Sequence, residues 1–70
     1  MNKMYRYYCL FRPPAPGAVP NNTDNRIVDV VEFDERRYCP DADCYAWGYV
    51  EYEHPLKPQD IVHYELAVAQ

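Results

Sequence analysis

The fold is decided by residues 44–52, which read Cys-Tyr-Ala-Trp-Gly-Tyr-Val-Glu-Tyr. Aromatic and β-branched residues favour strands, in which alternate side chains point to opposite faces. The segment therefore predicts a strand with two unlike faces, and Gly48 is compatible with a bulge in it. The bulky face holds Tyr45, Trp47, Tyr49 and Glu51, and the small-residue face, where a helix could pack closely, holds Cys44, Ala46, Gly48, Val50 and Tyr52.

Three more strands and one helix are predicted around this segment. The strands cover residues 4–11, 27–33 and 64–69, and the helix covers residues 58–63, with Pro58 at its first position and Asp60 in its first turn. Residues 34–37, Asp-Glu-Arg-Arg, predict a charged, exposed turn, and residues 38–43 predict irregular structure. The predicted fold is a small α+β domain of order β-loop-β-β-α-β. It has a mainly antiparallel sheet of about four strands and one short helix.

A long proline-rich loop is predicted between the first two strands, over residues 12–25. Four prolines lie within residues 13–20, and proline cannot donate a backbone hydrogen bond to a sheet. Pro13–Pro16 predicts an extended, polyproline-like segment, and Gly17 predicts a turn. Loops of this length in small domains are commonly functional or mobile.

Length and charge limit the classes of function. The 70 residues predict a single domain over residues 1–70, and 7 Lys plus Arg against 11 Asp plus Glu give a formal charge of −4. This charge argues against duplex DNA and anionic membranes as partners. The sequence has neither a secretory signal pattern nor an apolar run that could span a membrane. Together with an odd number of cysteines, three, this predicts a cytoplasmic protein with free thiols.

Three blocks of sequence resemble a known group of proteins. The blocks are residues 12–20 (Arg-Pro-Pro-Ala-Pro-Gly-Ala-Val-Pro), residues 46–52 (Ala-Trp-Gly-Tyr-Val-Glu-Tyr), and Ile61 followed by Tyr64-Glu65-Leu66. In this order they resemble small uncharacterised accessory proteins of bacterial phages and mobile elements, over about residues 4–66. The resemblance implies no catalytic residues. It implies a setting, since such accessory proteins are often inhibitors of host defence.

Metal binding and catalysis are the sharper chemical alternatives. Cys39 and Cys44, with Cys9, His54 or His63, could supply zinc ligands in a small zinc-stabilised module. However, the sequence has no C-x-x-C pair, and cysteine is often a buried apolar residue. Serine is absent, and one small sheet rarely forms a catalytic cleft. We therefore expect no catalytic residue, no metal, no cofactor and no enzymatic activity.

The aromatic stripe is the strongest indication of function. Tyr45, Trp47 and Tyr49 form either the core face of the sheet or a recognition face, and Arg12 lies at the mouth of the proline-rich loop. Eleven aromatic residues exceed what one short helix can cover, which favours a binding or oligomer surface at these four residues. The main hypothesis is a non-enzymatic counter-defence protein that inhibits a host protein by binding it. The alternatives are an oligomeric sponge for a nucleotide-like ligand and, less favoured by the charge, a protein that binds single-stranded nucleic acid.

Overall fold

The computed structural model describes residues 4–15 and 17–69 of the chain. Residues 1–3, Pro16 and Gln70 lie outside them, so the expectations for the N-terminus and for Pro16 in the polyproline-like segment also lie outside the described residues. The elements are β1 (Tyr5–Cys9), β2 (Ile27–Cys39), β3 (Cys44–Tyr52), α1 (Pro58–His63) and β4 (Leu66–Val68).

The four strands form one antiparallel sheet in the order β2-β3-β1-β4. β3 pairs with β2 on one side and β1 on the other, so the strand that the sequence predicts most clearly is an inner strand of the sheet. The predicted α+β class, element order and short helix are confirmed.

The second strand is longer than its sequence predicts. The expected turn at residues 34–37 is wrong, because these residues lie inside β2, which continues to Cys39. After an irregularity between Glu32 and Arg37, the ladder resumes with Arg37 opposite Ala46 and Cys39 opposite Cys44. The pairing of residues 37–39 with β3 continues the strand past the charged residues, despite their weak local strand propensity. Only residues 40–43 of the expected irregular segment form the hairpin turn.

Two other predicted strands are shorter than expected. β1 covers Tyr5–Cys9 of the predicted 4–11, and β4 covers Leu66–Val68 of the predicted 64–69. Glu65 has a left-handed backbone with φ 55°, so the chain turns there after α1 before β4 begins. A left-handed residue does not fit a regular strand, which explains the late start of β4.

The main core cluster joins the sheet to the proline-rich loop and the helix. The Tyr52 side chain is fully buried, and its hydroxyl donates to the backbone carbonyl of Pro20. The Tyr7 hydroxyl accepts a hydrogen bond from the backbone amide of Leu56, at 2.8 Å. The long loop therefore contributes to the core. The buried members of the cluster are Tyr7, Cys9, Val19, Val50, Tyr52, Leu56 and Leu66, against which Ile61 of α1 packs.

Gly48 is the point of closest approach between β3 and its surroundings. A Cβ atom there would lie 2.3 Å from the Val31 carbonyl oxygen and 2.8 Å from Cδ of Pro14. The sequence predicts close helix packing on the small-residue face, but it is Pro14 of the loop that lies against Gly48. The ladder with β2 is irregular next to Gly48, but the extra residues, 33–36, belong to β2 and not to β3.

Replacing Gly48 with alanine should destabilise the protein strongly, because the added methyl meets a backbone oxygen that cannot move alone. We expect Gly48→Ala to lower the free energy of unfolding by about 3 kcal/mol or more in urea denaturation. Gly17→Ala is the matched control, since Gly17 also has positive φ (86°) but nothing lies within 4 Å of its Cβ position. Its cost should be only about 1 kcal/mol, from backbone strain. Equal losses in the two variants would contradict the close approach at Gly48.

Removing the Tyr52 hydroxyl should cost stability because the buried Pro20 carbonyl loses its donor. We expect Tyr52→Phe to lower the free energy of unfolding by about 1–2 kcal/mol. Tyr38→Phe is the control, because the Tyr38 hydroxyl bonds Asp43 at the surface and its loss should change stability little. Thermal denaturation followed by circular dichroism measures both, and an unchanged melting temperature in Tyr52→Phe would argue against the bond.

Candidate binding surface

The bulky side of β3 is not its principal buried side. Along the strand Ala46, Gly48, Val50 and Tyr52 are buried, whereas the residues between them are exposed or half-buried. Tyr45 is 55% exposed. Of the two readings of the aromatic stripe, this pattern favours a surface over a core face.

The stripe does not form one continuous surface. The ring of Tyr45 packs edge-on against Tyr38 of β2, with 5.4 Å between centroids. The ring of Tyr49 instead packs against Tyr8 at 5.8 Å and Phe33 at 6.1 Å. The two groups are separated where the ladder between β2 and β3 is irregular, next to the half-buried Trp47. An unbroken period of two along β3 could not predict this division.

Tyr49 belongs to a second, smaller cluster. Its buried members are Tyr8, Cys39 and Ala46, and the half-buried Phe33 and Tyr49 pack against them. Both aromatic neighbours of Tyr49 come from other strands, so its ring ties β1 and β2 to β3. Tyr49 is mainly a packing residue.

A polar chain crosses the sheet beside Tyr49. The Arg6 guanidinium donates to the Glu51 carboxylate at 3.0 Å, and its Nη1 lies 3.4 Å from the Tyr8 hydroxyl. The Tyr8 hydroxyl in turn donates to the Asp41 carboxylate, 2.8 Å from Oδ2. The hydrogen bond with Tyr8 and the contact with Glu51 raise the pKa of Arg6, and burial raises the pKa of Tyr8. Through Asp41, this series of hydrogen bonds connects the hairpin turn to β1.

This arrangement does not favour a nucleotide site. The Arg6 guanidinium carbon lies 4.0 Å from the centroid of the Tyr49 ring and covers the ring on which a base would stack. The same guanidinium already pairs with Glu51, so its charge is compensated by the protein itself. A ligand phosphate would have to displace this carboxylate.

Two exposed tyrosines, Tyr38 and Tyr45, lie with Arg36 at the end of the β2–β3 hairpin, and these three residues are here called the hairpin surface. Tyr38 is 51% exposed, and the guanidinium of Arg36 lies 5.8 Å from the Tyr45 centroid. The Tyr38 hydroxyl donates to Asp43, which raises the pKa of Tyr38. Tyr38 and Arg36 are not among the expected site residues, because the sequence places Arg36 in a turn and Tyr38 in an irregular segment. The cross-strand pairing of Tyr38 with Tyr45 brings them to this surface.

Arg12, the fourth residue expected at the binding site, is placed elsewhere. Its guanidinium forms an exposed ion pair with Glu65 at 2.7 Å, next to β4. β4 and β2 are at opposite edges of the sheet. Of the four expected site residues, Tyr45 is therefore on the hairpin surface, Tyr49 packs in the second cluster, Trp47 is half-buried between them, and Arg12 pairs with Glu65.

The three cysteines are free thiols in environments that keep them protonated. Burial raises the pKa of Cys9 to about 11, and burial is also the main cause that raises the pKa of Cys39 and Cys44. A thiol with a raised pKa is a poor nucleophile at neutral pH. Within residues 4–15 and 17–69, no three His, Cys, Asp or Glu side chains are grouped so that they could hold a metal ion.

The fold and surface define the chain as a small antiparallel α+β protein with an exposed aromatic hairpin. Its residues 2–70 match the family model described as "Defence against restriction A C-terminal". The chain belongs to this family, and the membership relates it to phage counter-defence against restriction. No curated protein matches the chain, and no solved structure does. In the part of the chain that the structure describes, no helix is long and apolar enough to cross a membrane.

The raised pKa of Cys9 should make stability depend on pH in a defined direction. The unfolded chain loses its thiol proton at lower pH than the folded chain, so the free energy of unfolding falls as pH rises from about 9 to about 11. We expect the difference in stability between the native protein and Cys9→Ala to shrink by about 2 kcal/mol between about pH 8 and about pH 10.5. Urea denaturation at the two pH values measures it. Comparing the two proteins cancels the titration of the groups that they share. If the difference in their free energies of unfolding is the same at both pH values, Cys9 is not buried and protonated in the folded protein.

Proposed function

We propose that the chain is a non-enzymatic phage or mobile-element counter-defence protein that acts in the cytoplasm, where it inhibits a host protein by binding it. The partner that fits the family best is a protein component of a host restriction system. The hairpin surface is the contact site in this proposal.

The observation that carries the proposal is the exposure of Tyr38 and Tyr45. Seven of the eleven aromatic rings lie in the two core clusters or pack against them, but these two tyrosines are each more than half exposed. Tyr and Arg are enriched among residues that dominate protein–protein binding energy, because they offer a large contact area together with hydrogen bonds. Arg36, which lies beside Tyr45, adds an arginine to the two exposed tyrosines.

The turn beneath the hairpin surface is held by the rest of the molecule. Asp41 is fastened by the Tyr8 hydroxyl, and Asp43 accepts the hydrogen bond of Tyr38. A surface that is ordered before binding loses less conformational entropy in the complex. This supports a role for the hairpin end as a recognition element.

The charge of the chain supports a basic partner. The formal charge is −4, and complementary fields accelerate and orient association between proteins. Enzymes that bind DNA present basic surfaces to its phosphates, so an acidic protein can associate with such a surface. The restriction enzyme would therefore be contacted near its DNA-binding face.

Direct binding tests the proposal. The chain is titrated into a purified host restriction enzyme in an isothermal calorimeter at low and moderate salt, and DNA cleavage is measured in parallel. We expect a saturable complex that weakens as salt increases, with slower cleavage of unmodified DNA. Across restriction enzymes of different types from the host, the absence of both binding and inhibition would refute the proposal.

Substitutions on the hairpin surface test the assigned residues. The double variant Tyr38→Ala/Tyr45→Ala should weaken binding by at least about tenfold while leaving the fold intact, because both rings are exposed. Val62→Ala is the matched control, since Val62 is 76% exposed but lies on α1. Circular dichroism confirms folding of each variant. Binding that is lost equally in both variants, or in neither, would show that the hairpin surface is not the contact site.

A further inference from the structure

Two cysteines close the β2–β3 hairpin. Cys39 is the last residue of β2, Cys44 is the first residue of β3, and the two are directly opposed in the ladder. The backbone amide of Ala42 donates to the carbonyl of Cys39 at 3.1 Å, so the turn of residues 40–43 is closed at this pair. The hairpin itself therefore fixes the two cysteines opposite each other.

The two thiols lie on the same face of the sheet, because directly opposed residues of an antiparallel pair share a face. Both belong to the second cluster, in which Cys39 is buried and Cys44 is half-buried. The neighbouring pair, Tyr38 and Tyr45, points to the opposite face, since side chains alternate along a strand. The thiols therefore lie directly behind the hairpin surface.

The backbone spacing of this pair suits a disulfide. Opposed residues of an antiparallel pair have Cα atoms about 4.5 or about 5.5 Å apart, depending on whether the pair is hydrogen-bonded. Disulfides join Cα atoms that are about 4.4–6.8 Å apart, so either spacing allows the bond without movement of the strands. Cys9 is placed differently, because it lies in β1 opposite Leu66 and packs in the main core cluster.

We propose that Cys39 and Cys44 form a redox-sensitive site, at which a small disulfide such as oxidised glutathione converts the two thiols to a disulfide across the hairpin. The bond joins β2 to β3 behind the hairpin surface, and an excess of reducing thiol opens it again. In a reducing compartment the pair stays open as two free thiols. The proposal does not depend on the proposed function.

The reaction consists of two thiol–disulfide exchanges. Cys44, the less buried of the two thiols, loses its proton, and its sulfur attacks one sulfur of the oxidant. The glutathione thiolate that leaves takes up a proton. Cys39 then attacks Sγ of Cys44 in this mixed disulfide and displaces the second glutathione, which takes up the proton of Cys39. Two protein thiols become one disulfide, and one glutathione disulfide becomes two thiols.

Peptide mass spectrometry tests the site. The reduced protein is incubated with oxidised glutathione at about pH 8.5, because burial raises the pKa of Cys44 and exchange needs the thiolate. It is then alkylated in denaturant and digested with trypsin. Both cysteines stay in the fragment that begins at Tyr38, since trypsin cleaves after Arg37 and the next basic cleavage residue is Lys57.

We expect this fragment to be lighter by two hydrogen atoms and to carry no alkyl group, whereas Cys9 is alkylated. A native protein in which both thiols of the fragment are alkylated would overturn the proposal. So would one that ends with glutathione on Cys44 and no disulfide. The reaction contains no host protein, so its outcome is separate from that of the proposed function.

Single substitutions separate the roles of the two thiols. Cys39→Ala should stop the reaction at the mixed disulfide, with glutathione held on Cys44. Cys44→Ala should leave the buried Cys39 as a free thiol. Cys9→Ala is the matched control and should form the disulfide as the native protein does. Loss of the disulfide in a folded Cys9→Ala, as judged by circular dichroism, would overturn the assigned pair.

Unfolding tests the role of the strand register, because two cysteines separated by four residues can also pair in an unfolded chain. At one fixed ratio of oxidised to reduced glutathione, the ratio of disulfide to dithiol should be at least about tenfold higher in the native protein than in concentrated urea. Equal ratios would show that closeness in sequence, and not the opposed position in the hairpin, brings the thiols together.

Discussion

The structure depends on the close approach of three chain segments at Gly48. Only a residue without a side chain allows the Val31 carbonyl and the ring of Pro14 to approach β3 as closely as they do. This contact joins the β2–β3 hairpin to the proline-rich loop. The loop can then cover the core, where the Pro20 carbonyl accepts the hydrogen bond of Tyr52. In a chain of 70 residues such loop contacts matter, because small domains bury a smaller fraction of their surface than large ones do.

The two sides of the sheet have different roles. One side packs apolar residues under the loop and helix, and its buried tyrosines use their hydroxyls to satisfy backbone groups. On the other side, Arg6 links Glu51 to Tyr8, and Tyr8 holds Asp41 in the hairpin turn. The second side therefore orders the hairpin. The exposed Tyr38 and Tyr45 are therefore positioned by hydrogen bonds and packing around Tyr8, which is itself buried.

The irregularity in the β2–β3 ladder explains why the aromatic residues of β3 do not act together. On one side of it Tyr49 is packed against Tyr8 and Phe33, and on the other Tyr45 is exposed beside Tyr38. The irregularity also leaves residues 33–36 without opposed residues on β3. One local departure from regular pairing thus separates the packed Tyr49 from the exposed hairpin surface. The family membership gives this surface a context, which is defence against restriction.

The sequence by itself determined the α+β class, the extent of β3 and the helix at residues 58–63, because these depend on local periodicity and on Pro58 at the helix start. Only the tertiary structure decided that β2 continues through residues 34–39, because the ladder with β3 resumes at residues 37–39 and the local propensities of the charged residues do not favour a strand. It also decided which tyrosines are exposed, and it directed Arg12 to Glu65. Side-chain exposure depends on contacts between residues distant in sequence, which a period of two along one strand does not encode.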